Sequence, residues 1–222
     1  MSLKSIMQKL DEGRQYRNID LSEFERRAEG DEEKTVAGYA TTFNHPYELY
    51  RDSYNGVTYI VREQVDPNAF AETDLSDVIM QYDHEGRVFA RTSNSTLELE
   101  PNRRGLHIRA NLGGTELGRQ LFEEIEGGYT TKMSFGFRVG EDRRETVETR
   151  DEETGTVTYE TLRTILKIAK LYDVSAVSLP ANEGTSISAR SYGEGVIAEI
   201  REEIQKREDQ RRRIRIKANM EV

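Results

Sequence analysis

Short β-type runs dominate the middle of the chain, and one segment there has clear helical spacing. Residues 35–43 (TVAGYATTF) are β-rich and lead into a turn at His45-Pro46, and residues 57–61 (VTYIV) form a second strand candidate. The pattern breaks at Asp66-Pro67-Asn68-Ala69-Phe70, and a third strand candidate follows at residues 78–82 (VIMQY). Residues 95–99 and 105–110 alternate with a period of two around Pro101-Asn102, which predicts a hairpin. The helix is predicted where Leu117, Leu121, Phe122 and Ile125 form a stripe, with Thr115 as N-cap and Gly127-Gly128 as the stop. Residues 131–139 read as a strand, residues 141–163 as a charged hairpin arm turning at Thr154-Gly155, and Ile165 to Leu179 as a strand ending at Pro180.

The ends differ in texture. Residues 1–34 scatter Ile6, Leu10, Tyr16, Leu21 and Phe24 among charges with poor periodicity, which predicts a mobile or loosely attached N-terminal arm. Residues 194–222 read as a charged helical tail, with Ile197, Ile200 and Ile204 a turn apart before the basic run Arg211 to Lys217. Between them, residues 35–193 form the predicted domain. Many short strands with one or two packed helices give a mainly β, α+β fold, a barrel or a sandwich.

Composition narrows the chemistry. The 222 residues carry 41 acids and 32 bases, a net charge of −9, with hydrophobic residues at only 35%, so part of the chain is expected to lie outside a modest core. The chain has no Cys and three His, which excludes a disulfide framework, thiolate zinc sites and a Cys nucleophile, and disfavours a His-rich metal centre. The acidic balance argues against a specific nucleic-acid partner. No apolar run reaches membrane-helix length and no signal-peptide pattern opens the chain, so a non-secreted protein with no membrane partner is expected in a reducing cytoplasm. No phosphate loop, dinucleotide fingerprint or metal-ligand spacing occurs, and no cofactor or metal is expected.

Three residues carry candidate chemistry. In an alternating strand Met133, Phe135, Phe137 and Val139 face the core, which turns Ser134, Gly136 and Arg138 to the other side. A Ser beside a residue without a side chain is accessible to a substrate; equally, it is an ordinary polar residue on an outward strand face. His84 stands where a strand gives way to a polar turn, suited to act as a base for a hydroxyl or to pair with Asp83 or Glu85. Asp83, adjacent to His84, would point the other way on a strand. Asp173 interrupts an apolar strand, so it is either the third member of a Ser-His-acid set or part of a structural ion pair or cap. His107 is expected to face solvent, and His45 lies in a turn. The absence of a Gly-x-Ser-x-Gly elbow disfavours an α/β-hydrolase.

Met133-Ser134-Phe135-Gly136-Phe137, just after a Gly-terminated helix, resembles the nucleophile segment of the tailed-phage prohead proteases, serine peptidases of capsid maturation related to herpesvirus assemblin. The segment from Asp173 to Asn182 (DVSAVSLPAN) is similar to the same family. So are Gly38-Tyr39-Ala40 with Phe43, the turn from Pro67 to Phe70, and Asp83-His84 followed by Gly86-Arg87 and Thr92. The resemblance runs from about Thr35 to Arg190. It implies Ser134 as nucleophile, His84 as general base and Asp173 as the acid, where assemblin has a second His. No His follows His107, so a Ser-His-His set is excluded. The charged arm between Ser134 and Asp173 looks like an insertion. The family fold implied is an assemblin-like β-barrel surrounded by helices, and the arginine-bearing segment that supplies oxyanion donors in assemblin has a loose candidate in Arg190.

The resemblance implies a serine endopeptidase inside the assembling prohead, in the host cytoplasm. It would cleave the scaffold or the scaffolding segment of the major capsid protein, and itself, with self-association left open. The alternative is a non-catalytic phage assembly protein, a tail-tube-like or scaffold-binding barrel. A lipocalin-like binder has no support, because the stripe from Met133 to Val139 reads as core.

Overall fold

The computed structural model describes residues 13–20, 25–26, 34–177 and 187–220. Among the described residues strand is the main element and two α-helices accompany it, so the fold is mainly β with packed helices. The strands are β1 (Gln15–Asp20), β2 (Glu25–Arg26), β3 (Thr35–Thr42), β4 (Tyr47–Tyr54), β5 (Val57–Val65), β6 (Ile79–Tyr82), β7 (Glu85–Arg91), β8 (Leu97–Pro101), β9 (Gly105–Asn111), β10 (Lys132–Arg150) and β11 (Val157–Val177). The helices are α1 (Glu116–Glu126) and α2 (Ile187–Met220).

Two sheets form. The larger has seven strands in the order β1-β10-β11-β5-β4, with β6 joined to the far end of β11 and β7 to β6; the smaller runs β2-β3-β9-β8. The core lies between them. Met133, Phe135 and Phe137 of β10 meet Ile108 of β9, Val36 of β3 and Phe122 of α1 in one apolar cluster. Among the described residues neither sheet closes into a barrel, so the mainly β, α+β class stands without the assemblin-like closure that the resemblance implies.

Local chemistry explains most of the elements. The Thr115 hydroxyl accepts from Gly118 N–H at 3.0 Å and caps α1, whose buried stripe is Leu121, Phe122 and Ile125. Leu117, grouped with that stripe in the sequence, stays exposed. β10 and β11 continue through the charged segment as one long antiparallel hairpin, closed where Asp151 accepts from the backbone of Glu153 and Thr154. Tyr192, Val196 and Ile197 of α2 pack on Leu49, Tyr59 and Val61 of β4 and β5 and form a second apolar cluster. Beyond Ile204 the described side chains of α2 are exposed, including Ile214 and Ile216 beside the basic run. No described helix is long and apolar enough to cross a membrane.

The N-terminal segment departs from expectation. Residues read as part of a loose arm form β1 and β2, which add strands to both sheets, and Gln15 and Arg17 are almost fully buried. Arg17 holds Glu63 of β5 bidentately at 2.6 and 2.9 Å, and Glu63 also accepts from Tyr47 at 2.5 Å and from Arg163 of β11 at 3.1 Å. β1 and β5 are three ladder steps apart, roughly 14 Å in a flat sheet. A direct ion pair between them requires a strongly coiled sheet, and this pair pins the coil. The periodicity of residues 15–20 was poor because Arg17 and Gln15, the inward residues, bury polar groups into a polar seam.

Burial pushes the Glu63 carboxyl up, but Arg17 and Arg163 pull it further down, to below its ordinary value of 4.5. Such a group stabilises the fold fully above its unfolded value, and that contribution is lost as pH falls through the lowered folded value. Glu63→Gln is expected to cost about 3–5 kcal/mol near neutral pH, since it leaves the buried Arg17 guanidinium without its anion and Arg163 with Asp142 alone. Urea unfolding at a series of pH values should show the gap between parent and variant narrowing as pH drops below 4.5.

Candidate active site

β10 carries apolar residues to one side and small ones to the other. Met133, Phe135 and Phe137 are wholly buried in the core, with the Phe135 and Phe137 rings 4.5 Å apart. Ser134 and Gly136 point the opposite way, and across the ladder they face Ser175 and Asp173 of β11. Strict alternation along β11 would put Leu171 and Asp173 on the same side. A bulge at Tyr172 prevents this: Gly136 pairs with Asp173 while Phe137 pairs with Leu171. Leu171 therefore enters the core and Asp173 turns to the face that holds Ser134.

The sequence placed the Ser134 hydroxyl on the side away from the core, and so it lies. That side is covered as well, because Ser134, Asp173 and Ser175 are all 0% exposed.

His84 follows β6, which adds to β11 in parallel with Gln81 opposite Ser175. β6 and β7 are joined by a two-residue turn whose central residues, Asp83 and His84, have φ of 50° and 61°. Two consecutive positive φ angles mark a type I′ hairpin turn, and Asp83 N–H donates to the Ala176 carbonyl at 2.9 Å to hold it against β11. The imidazole thereby reaches over the sheet face. His84 Nε2 lies 2.6 Å from Ser134 Oγ, and Nδ1 lies 2.5 Å from Asp173 Oδ2.

An ionised carboxylate can only accept, so the proton sits on Nδ1 and the Nε2 lone pair is free to accept from the Ser134 hydroxyl. Burial raises the Asp173 pKa, but the His84 hydrogen bond and charge, then the Ser175 hydroxyl and Arg14, outweigh it and hold the carboxyl below its usual range. Ser175 Oγ donates to Oδ2 at 2.7 Å, and Arg14 donates to Oδ1. The arrangement is chemically suited to drawing a proton from a hydroxyl as it attacks a carbonyl.

Sequence reading missed three neighbours. Ser175 carried a signal, its position two residues from Asp173 on a strand. Arg14 and Tyr16 did not, because they belong to a segment without apolar periodicity. The Tyr16 ring centroid lies 4.3 Å from that of His84, and Arg14 sits over Tyr16 and Tyr172 at 5.1 and 4.9 Å. Gly136 makes this convergence fit: a Cβ there would collide with Asp173 Oδ1 and lie 2.9 Å from both Arg14 Nε and Tyr16 Cε1.

The other candidates lie elsewhere. Arg190 is exposed on α2 and pairs with Glu194 at 3.0 Å. His107 is half-buried against Tyr39, and His45 is exposed in its turn. The stretch from Ser178 to Asn182, part of the resemblance, lies outside the described residues. Among the described residues no three His, Asp or Glu side chains are grouped to hold a metal ion.

A sequence profile described as caudovirus prohead serine protease matches residues 22–196, most of the chain. No curated protein and no solved structure matches it.

Gly136→Ala tests the packing of this face directly. The added methyl group should destabilise the fold by about 1–3 kcal/mol by overpacking and push Asp173 out of line with His84. Thermal unfolding reads the first effect. Reaction of Ser134 with a fluorophosphonate reads the second and should slow much more than in a surface variant of equal stability.

Proposed function

Because the chain belongs to the caudovirus prohead serine protease family, a family of capsid-maturation serine peptidases, we propose that Ser134, His84 and Asp173 are its catalytic set. In this reading His84 Nε2 takes the Ser134 proton as Oγ adds to the scissile carbonyl. Asp173 fixes the tautomer and stabilises the imidazolium that results. The proton then passes to the leaving amine, an acyl-enzyme remains on Ser134, and water activated by the same imidazole hydrolyses it. The observation that carries the reading is the unbroken relay from a buried carboxylate through His84 to the Ser134 hydroxyl, with contacts of 2.5 and 2.6 Å. The mechanism needs only this local geometry and does not depend on a closed barrel.

The substrates we propose are the scaffold, or the scaffolding segment of the major capsid protein, cleaved within the prohead. The enzyme's own charged ends are the further target, since exposed terminal segments with few tertiary contacts are good protease substrates. The exposed distal half of α2 fits that description. The competing reading, a non-catalytic assembly protein, gives no reason for a buried acid, an imidazole in a strained turn and a hydroxyl to be in line.

Covalent labelling separates the two. A fluorophosphonate should modify the parent protein at Ser134 and leave Ser134→Ala unmodified, with the adduct located by mass spectrometry; an unlabelled parent would remove the peptidase assignment. Asp173→Asn should lower turnover by about 10⁴-fold while the protein still folds, because the amide favours the wrong tautomer of His84. Loss of terminal mass on standing should occur in the parent and be absent from Ser134→Ala.

A further inference from the structure

β1 precedes the family-matched region, which starts at residue 22, yet it lies along the outer edge of the nucleophile strand. Tyr16 is opposite Gly136 and Asn18 is opposite Ser134. The two ends of the Asp173 carboxylate have different partners. Oδ2 accepts from His84 and Ser175, and Oδ1 accepts from the Arg14 guanidinium. Asp173 is 0% exposed, whereas the Arg14 side chain is 34% exposed, so this cation bridges solvent and the interior. Its approach is built. Gly136 leaves the space, the rings of Tyr16 and Tyr172 flank the guanidinium, and the Arg17–Glu63 ion pair anchors the same strand from its other face.

A carboxylate bonded at one oxygen alone can still turn about its Cβ–Cγ bond, and a buried anionic oxygen without a partner is costly. A charge-assisted bond to Oδ1 removes both problems, since it fixes the plane of the carboxylate and so the oxygen presented to Nδ1. We propose that Arg14, supplied from outside the family-matched region, is a positioning residue for the peptidase reaction and acts through Asp173. The proposal rests on the Ser134-His84-Asp173 reading and extends it by a fourth member. It also makes the N-terminal strand a working part of the enzyme.

The test uses the full chain and a fluorophosphonate, whose inactivation kinetics separate binding (KI) from chemistry (kinact). Arg14→Ala should lower kinact about 10- to 100-fold, the effect of misplacing a catalytic group by a fraction of its contact distance, with KI within about twofold. Arg14→Lys, which keeps the charge, should recover part of the loss. Added to Asp173→Asn, Arg14→Ala should have little further effect, because a residue acting through Asp173 has nothing left to position. A merely structural role would not produce this non-additivity. Unchanged or faster inactivation in Arg14→Ala, or additive losses in the double variant, would overturn the proposal while leaving the catalytic set standing. A parent that is not labelled at Ser134 would take both readings down.

Discussion

A carboxylate buried in a β-sheet imposes the constraint around which this molecule is organised. Asp173 has no exposed surface and is held ionised, so every lone pair it turns inward needs a donor. Three separate pieces of chain meet that need, the β6–β7 turn through His84, β11 itself through Ser175 and the residue before β1 through Arg14, while Gly136 of β10 leaves them room. The bulge at Tyr172 is the device that puts the acid on this face at all. Without it, Asp173 would share a side with Leu171, and one of the two would be in the wrong solvent.

What could be read from the sequence follows from how local each signal is. The strands β3, β5, β6, β8 and β9 and the helix α1 were legible because their periodicity and caps lie within a few residues. Ser134 was legible because the large apolar side chains on either side of it set its direction. Asp173 was noticeable as an acid among apolar residues, although its direction depends on an extra residue in the ladder that no periodicity reveals. Arg14, Tyr16 and Arg17 were hidden. Their partners are Asp173, His84 and Glu63, and a strand that buries ion pairs and polar seams looks in sequence like a solvated arm. β4 escaped because only Leu49 along it is buried, while Glu48 and Arg51 pair with each other at the exposed surface.

The large sheet serves two layers at once. One face fills the core with Met133, Phe135, Phe137 and Leu171, and the other holds Ser134 and Asp173 of the candidate site. A non-glycine residue at φ 61° costs on the order of 1–3 kcal/mol. The turn persists because Asp83 is tied to β11 through the backbone and the imidazole is held at both nitrogens. Strain placed here keeps the ring aimed across the sheet, where a relaxed turn would leave it free to swing toward solvent.

The boundary of the family match and the boundary of the folded unit do not coincide. The match begins at residue 22, but the large sheet begins at Gln15, and the partner of Asp173 Oδ1 lies one residue earlier still. A strand recruited at the open edge of β10 supplies hydrogen bonds that any extended segment could make, so the pairing alone would not specify residues 15–20. Side chains on its two faces do. Arg17 reaches inward to Glu63, while Arg14 and Tyr16 reach the opposite face beside Asp173 and His84. An edge strand tied by a buried ion pair on one side and by the candidate site on the other cannot slip by one residue without inverting both contacts. The register of this strand is thus fixed by the same two carboxylates, Glu63 and Asp173, that the strand helps to satisfy, which couples the coil of the sheet to the order of the site.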